Sequence, residues 1–144
     1  MAAMTADRLV AQATRASLVV WVGGPGTPPR AVWHVWHEGA AYVLTGPGEQ
    51  DAPGLADGGT ARVAVRSRDR QGDRVVDWAA EVSVVPPGSA GWEEMLPLLR
   101  ARRLNDAQAA GQPERWARAC TLWRLAPTGQ LLAPDYSPLP SSST

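Results

Sequence analysis

The chain has no lysine, no isoleucine, no phenylalanine, one cysteine and no surplus of either charge. The single cysteine and the balanced charge each remove a class of function. A single thiol, Cys120, allows neither an intrachain disulfide nor a thiolate metal cluster. The fourteen basic residues are all arginine and face fourteen acidic ones, so the formal net charge is zero. No net field draws such a chain to nucleic acid or to an anionic membrane. No run approaches the roughly 18 apolar residues of a spanning helix, and "MAAMTADRLVAQATRASLVV" lacks the basic start and long apolar run of a signal peptide. The expectation is a cytoplasmic protein with no membrane or nucleic-acid partner. Lysine, isoleucine and phenylalanine share AT-rich codons, so their absence reports on the coding DNA. Seven tryptophans are left to supply the large aromatic volume.

What is present fits one domain of 144 residues: an ordered part over 1–127, then a Pro- and Ser-rich tail over 128–144 that is partly disordered. Thr5 is placed to cap a helix reaching about Ala16, with Leu9, Val10 and Ala13 inward. Apolar runs bounded by turn residues predict strands in "SLVVWVG", "RAVWHVWH", "AAYVLT", "ARVAVRS", "VVDWAAEVSVV" and "RWARACTLWRL". Glu38-Gly39 predicts a tight hairpin, and "RSRDRQGDR" an exposed hairpin end centred on Gln71-Gly72. In the fifth strand Val76, Trp78, Ala80, Val82 and Val84 oppose Asp77, Glu81 and Ser83. In the sixth, Ala117, Ala119, Thr121, Trp123 and Leu125 share a face. "GPGEQDAPGLADGG" holds too much Gly, Pro and Asp for a long element and leaves room for one helical turn near Leu55. "SAGWEEMLPLLRARRLN" is helical, with Trp92, Met95, Leu96 and Leu99 on one side. Pro97 is expected to break or kink it, or to open a second short helix. Six strands, few helices and no βαβ rhythm predict a mainly β antiparallel barrel.

Candidate sites are few. His34 and His37 in "HVWH" have the spacing of a ligand pair on a helix, but in a strand residues of opposite parity diverge. One cysteine and scattered carboxylates do not complete a tetrahedron, so no metal is assigned. Neither Ser17 nor Ser83 sits in a Gly-x-Ser-x-Gly elbow, and Cys120 has no basic neighbour that activates it. Glu93 and Glu94 are explained by the favourable end of a helix dipole. "GGPG" and "GPG" lack the Lys-Ser/Thr that completes a P-loop.

"GTPPRAVWHVWHEGAAYVLTG" has a Gly-x-Pro entry, a strand of the Pro-Val-Trp-Phe type, a Gly-led hairpin and a closing Thr45-Gly46. "GLADGGTARVAVR", "VVDWAAEVSVVPPGSAGWEEMLPLLRARR" and "CTLWRLAP" follow in order. From about Leu9 to Pro127 this succession resembles the pyridoxamine 5′-phosphate oxidase-like family of FMN- or F420-binding split barrels. The resemblance implies a six-stranded antiparallel split β-barrel with peripheral α-helices. It also implies a homodimer with the flavin-type cofactor between subunits, and oxidoreductase chemistry carried by that cofactor. Residue by residue it implies cofactor contacts from Arg30, Trp33, Thr45, Gly46, Glu49, Gln50 and Arg62. Glu49, Gln50 and Asp51 stand where relatives carry Arg or Lys, and two carboxylates there repel a phosphate dianion unless Arg30, Arg62 or Arg66 compensates. Two functions follow: an FMN- or F420-dependent oxidoreductase, or a non-catalytic dimeric split barrel that has lost the phosphate site and binds another small ligand or a partner. Surplus tryptophan is expected at the subunit contact.

Overall fold

Thr5 caps the first helix, its hydroxyl accepting from the Arg8 N–H at 3.2 Å, and α1 runs Ala6–Ala16 with Val10, Ala13 and Thr14 buried. The computed structural model describes residues 5–69, 72–103 and 111–132, those of 67–69 and 72–74 by their backbone only. Strands β1 (Val19–Gly23), β2 (Arg30–Trp33), β3 (Val35–His37), β4 (Ala40–Thr45), β5 (Thr60–Asp69) and β6 (Gly72–Val85) follow. Then come α2 (Ala90–Arg102), α3 (Gln112–Ala119) and β7 (Thr121–Leu131). The strands form one sheet in the order β2-β1-β5-β6-β7-β4-β3, with every neighbouring pair antiparallel. Its two edge strands, β2 and β3, are consecutive in the chain. The sheet therefore curls until the stretch 30–37 joins its own edges, an arrangement consistent with a split barrel.

That closure explains why there are seven strands and not six. "RAVWHVWH" divides at His34: Trp33 pairs with Val19 of β1, whereas Val35 pairs with Tyr42 of β4. One residue has to leave both ladders to carry the chain between them, and His34 does so with its ring buried against α1. The Glu38-Gly39 turn forms as expected, both residues at positive φ (46° and 81°), as a two-residue hairpin of the favoured twist requires. Arg70 and Gln71, at the tip of the β5–β6 hairpin, lie outside the described residues.

Two clusters make the core. Val20, Val22, Val32, Val63, Val65, Val76, Trp78, Ala80, Val82 and Leu125 fill the barrel, with Val10 and Ala13 of α1 against them. Trp92, Met95 and Leu99 of α2 pack with Trp116 of α3 over Tyr42, Leu44, Val85 and Leu122. Strand β4 serves both: Ala41 and Val43 face the barrel, Ala40, Tyr42 and Leu44 the helices. A strand buried on two sides has no polar face, which is why "AAYVLT" shows no alternation.

Three expectations need correction. The segment 112–119 is helix α3, not the start of the last strand; Gln112 and Trp116, four apart, are buried on its inner side. Strand β7 therefore begins at Thr121 and runs past Pro127 to Leu131, while 133–144 lie outside the described residues. Pro97 neither breaks α2 nor opens a new helix; it sits on the exposed side, where the Glu93 carbonyl left without its N–H faces water. Near Leu55 there are turns and no helical turn. Among the described residues no helix is long and apolar enough to cross a membrane.

Candidate functional site

Immediately after β4 the chain enters the loop Gly46–Gln50, the stretch for which the family resemblance implies phosphate contacts. Gly46 has φ 139°, and a Cβ there would lie 2.9 Å from both the Ala119 carbonyl oxygen and the Cys120 Cα. The loop thus runs against the α3–β7 junction so closely that only glycine fits. It closes on itself through Glu49 N–H to the Gly46 carbonyl (2.9 Å) and Gly46 N–H to the Gln50 carbonyl (3.0 Å).

Pro47 is exposed, and the Glu49 and Gln50 side chains of the loop turn into the protein. Gln50 clamps the Trp33 main chain: its Oε1 accepts from the Trp33 N–H at 2.8 Å and its Nε2 donates to the Trp33 carbonyl at 2.7 Å. An amide side chain thereby stands in for a neighbouring strand where β2 ends. The Thr45 hydroxyl oxygen accepts from the Trp123 indole N–H at 3.0 Å. Glu49 has a side chain with 0% exposure. Arg103 Nε donates to its Oε1 at 2.9 Å, while Arg115 Nη2 and Trp116 Nε1 each donate to its Oε2 at 3.1 Å. Two guanidiniums and an indole hold one carboxylate, the dense donor set that a buried acid requires.

Glu49 is therefore not the exposed repulsive charge anticipated from the loop's composition. Its charge is answered by Arg103 and Arg115, which lie 54 and 66 residues further along the chain. Asp51 is exposed. Arg62 is engaged with Asp77, donating from Nε at 2.7 Å and also from Nη2, and Asp77 is 7% exposed. Arg30 and Arg66 are exposed on β2 and β5. The fold thus gathers Trp33, Thr45, Gly46, Glu49 and Gln50 around one loop. Arg30 pairs with Val22 and Arg62 with Gly23, on either side of β1, away from that loop's contacts. Arg103, Arg115 and Trp116 were missed as partners of the loop. The arginines at the end of α2 were legible, but only as charges suited to a helix C-terminus.

These residues do not fit a phosphate cradle. Gln50 has both ends of its amide on Trp33, Glu49 is enclosed, and Arg62 is bound to Asp77. Of the polar side chains matched to the family's site, only the Thr45 hydroxyl hydrogen and the exposed Arg30 remain to meet an anion.

The two histidines engage different helices. His34 Nε2 lies 2.8 Å from the Thr14 carbonyl of α1, so that nitrogen carries the proton and Nδ1 keeps the lone pair. Burial lowers its pKa below the ordinary 6.5; the bond to Thr14 opposes the shift and the Arg102 charge adds to it. Arg102 ties the same corner, donating to the carbonyls of His34 (3.0 Å) and Leu18 (2.8 Å). A cleft of about 290 Å³ opens there between Leu18, Trp36 and Arg102, at the lower limit for small-molecule pockets. His37 instead turns to α2, its Nε2 2.6 Å from Glu94 Oε2. Burial raises the pKa of Cys120, with Glu49 adding to it, so the thiol stays protonated and unreactive.

No protein-family model matches the chain, and no curated protein matches it in sequence. Solved structures do match in fold. The heme storage protein HutZ from Vibrio cholerae aligns with TM-score 0.59 at 13% identity, over 90% of this chain and 95% of its own. An FAD-binding protein, mll6688, from Mesorhizobium loti aligns with TM-score 0.56 at 14% identity, over 85% and 87%. The flavocytochrome Anf3 from Azotobacter vinelandii aligns with TM-score 0.50 at 13% identity, over 88% and 70%. The chain has the split-barrel fold of flavin- and heme-binding proteins. At these identities the likeness establishes the fold alone.

Proposed function

We propose that this chain is a dimeric, cytoplasmic split-barrel protein that binds a small ligand without seating an FMN or F420 phosphate on its Gly46–Gln50 loop. One observation carries the reading: the Glu49 carboxylate is fully enclosed between Arg103, Arg115 and Trp116. A loop fixed to two helices by its own side chains has no side-chain donor of its own left for a ligand's phosphate. The homodimer is supported by the outer face of the sheet. Val19 is 46% exposed and Val75 48%, with Trp21 half-buried on the same outward face, which also carries Arg66, and a second copy is the simplest cover for these apolar side chains.

The flavin-type oxidoreductase remains a second reading. It is favoured by the fold shared with an FAD-binding protein and a flavocytochrome, and by the exposed Arg30 guanidinium and the Thr45 hydroxyl hydrogen, which remain to meet an anion. In that reading the cofactor supplies the hydride or electron chemistry and the barrel positions its ring. Purification followed by visible absorption and titration with FMN and F420 separates the two. The first reading expects a colourless dimer with no saturable binding at micromolar cofactor. A yellow protein carrying stoichiometric FMN sinks it and establishes the second.

A further inference from the structure

We propose that His37, Glu38 and Glu94 form a binding site for a divalent transition-metal ion of the zinc class, clipping the β3–β4 hairpin to α2. His37 ends β3, Glu38 is the first turn residue, and Glu94 lies in the first turns of α2. His37 Nε2 is 2.6 Å from Glu94 Oε2 and 3.9 Å from Glu38 Oε2, and the three donor atoms all lie within 4.8 Å of one another. Ligands about 2.1 Å from a tetrahedral zinc ion are roughly 3.4 Å apart, a value inside that range. Small rotations of the two glutamates reach it, and both are free to make them, with side chains 75% and 54% exposed.

The donor chemistry points to the same class of ion. One imidazole nitrogen with two carboxylate oxygens suits first-row divalent metals better than it suits magnesium, which takes oxygen alone. The charge pattern is the independent argument. The chain carries fourteen arginines, yet among the described residues neither Glu38 nor Glu94 is ion-paired to one. Among the described residues the His37 imidazole is the one basic side chain within 4 Å of either carboxylate. A divalent cation that displaces the proton between His37 Nε2 and Glu94 Oε2, releasing it to solvent, meets all three donor atoms at once. His37 is 26% exposed, so an ion enters from solvent and water fills its remaining positions. The separation of His34 from His37 had argued against a metal in "HVWH". The fold replaces the missing histidine with a glutamate 57 residues away.

The test uses the full chain after dialysis against EDTA, titrated with zinc chloride by calorimetry and with cobalt chloride by absorption. Because there are only two histidines, imidazole NMR signals separate them without ambiguity. The expected result is one zinc per chain with a micromolar dissociation constant. The His37 signals should shift while those of His34 stay in place. Glu94→Gln and His37→Ala should each weaken binding about tenfold or more, and Asp51→Asn, an exposed acid elsewhere, should leave it unchanged. Melting curves taken without metal guard against a variant that merely unfolds, and Glu94→Gln preserves the shape of the site. Absence of saturation at about 1 mM zinc, undiminished binding by Glu94→Gln, or shifts confined to His34 would each overturn the proposal.

Discussion

Glu49→Ala tests the enclosed loop most directly. The substitution removes the carboxylate that both Arg103 and Arg115 bind and leaves the Trp116 indole N–H without its acceptor. Removing one partner of a buried ion pair costs about 3–5 kcal/mol, because the remaining charge stays desolvated. Here the two arginines keep 26% and 19% exposure, so water recovers part of that loss, and the lower end, about 3 kcal/mol, is the better value. The unpaired indole adds a contribution of about 1 kcal/mol that overlaps with the first and is not simply summed. A domain of this size has about 5–15 kcal/mol in total, so the change is large. Urea unfolding followed by tryptophan fluorescence should show the midpoint falling with the slope unchanged. Glu49→Gln keeps the shape and one acceptor and should lose about half as much.

Glu49→Arg looks like a repair if the loop is read as a phosphate site spoiled by acidity. In this fold it brings a third guanidinium against two others and should destabilise more than alanine does. The reasoning is refuted if Glu49→Ala stays within about 0.5 kcal/mol of the parent. It is equally refuted if Glu49→Arg folds normally and binds FMN more tightly.

Other outcomes follow from the same geometry. His34 has a lowered pKa in the folded chain, so between the ordinary 6.5 and that lower value the unfolded chain binds more protons. Its contribution is full above about pH 6.5 and is lost as pH falls through the lowered value. Urea midpoints should therefore drop faster below pH 6.5 in the parent than in His34→Gln; equal slopes count against the buried neutral imidazole. Gly46→Ala places a Cβ 2.9 Å from the Ala119 carbonyl at φ 139° and should cost about 1–3 kcal/mol or more, read as a lower melting temperature. Gln50→Ala frees both main-chain groups of Trp33 and should speed hydrogen exchange of the Trp33 amide without unfolding the barrel. Cys120 should resist a disulfide reagent in the native state and react once urea unfolds the chain; rapid native labelling contradicts its burial.

What could be read from the sequence was local. Thr5 satisfies an N–H three residues on, Glu38-Gly39 sets its own turn, and the alternation from Val76 to Val82 needs only the pleat of one strand. The division at His34 depends on which strands flank the sheet after it has curled, a relation between β1 and β4 that no window around residue 34 contains. Helix α3 hid behind an accident of composition. Ala117 and Ala119 imitate a period of two, whereas the buried pair Gln112 and Trp116 obeys a period of four. Glu49 is the sharpest case. An acid in a Gly- and Pro-rich loop reads as solvent-exposed, and its sign as hostile to phosphate. Both inferences take the charge of a residue for the potential at its position. That potential is set by every group the fold brings near, and here two arginines from α2's end and α3 reverse it. Glu38 and Glu94 show the converse. Each is ordinary in its own segment, one in a turn and one early in a helix, and the two become a concentrated negative site only when α2 packs beside β3. Charge sign is written in the sequence, but charge compensation belongs to the fold.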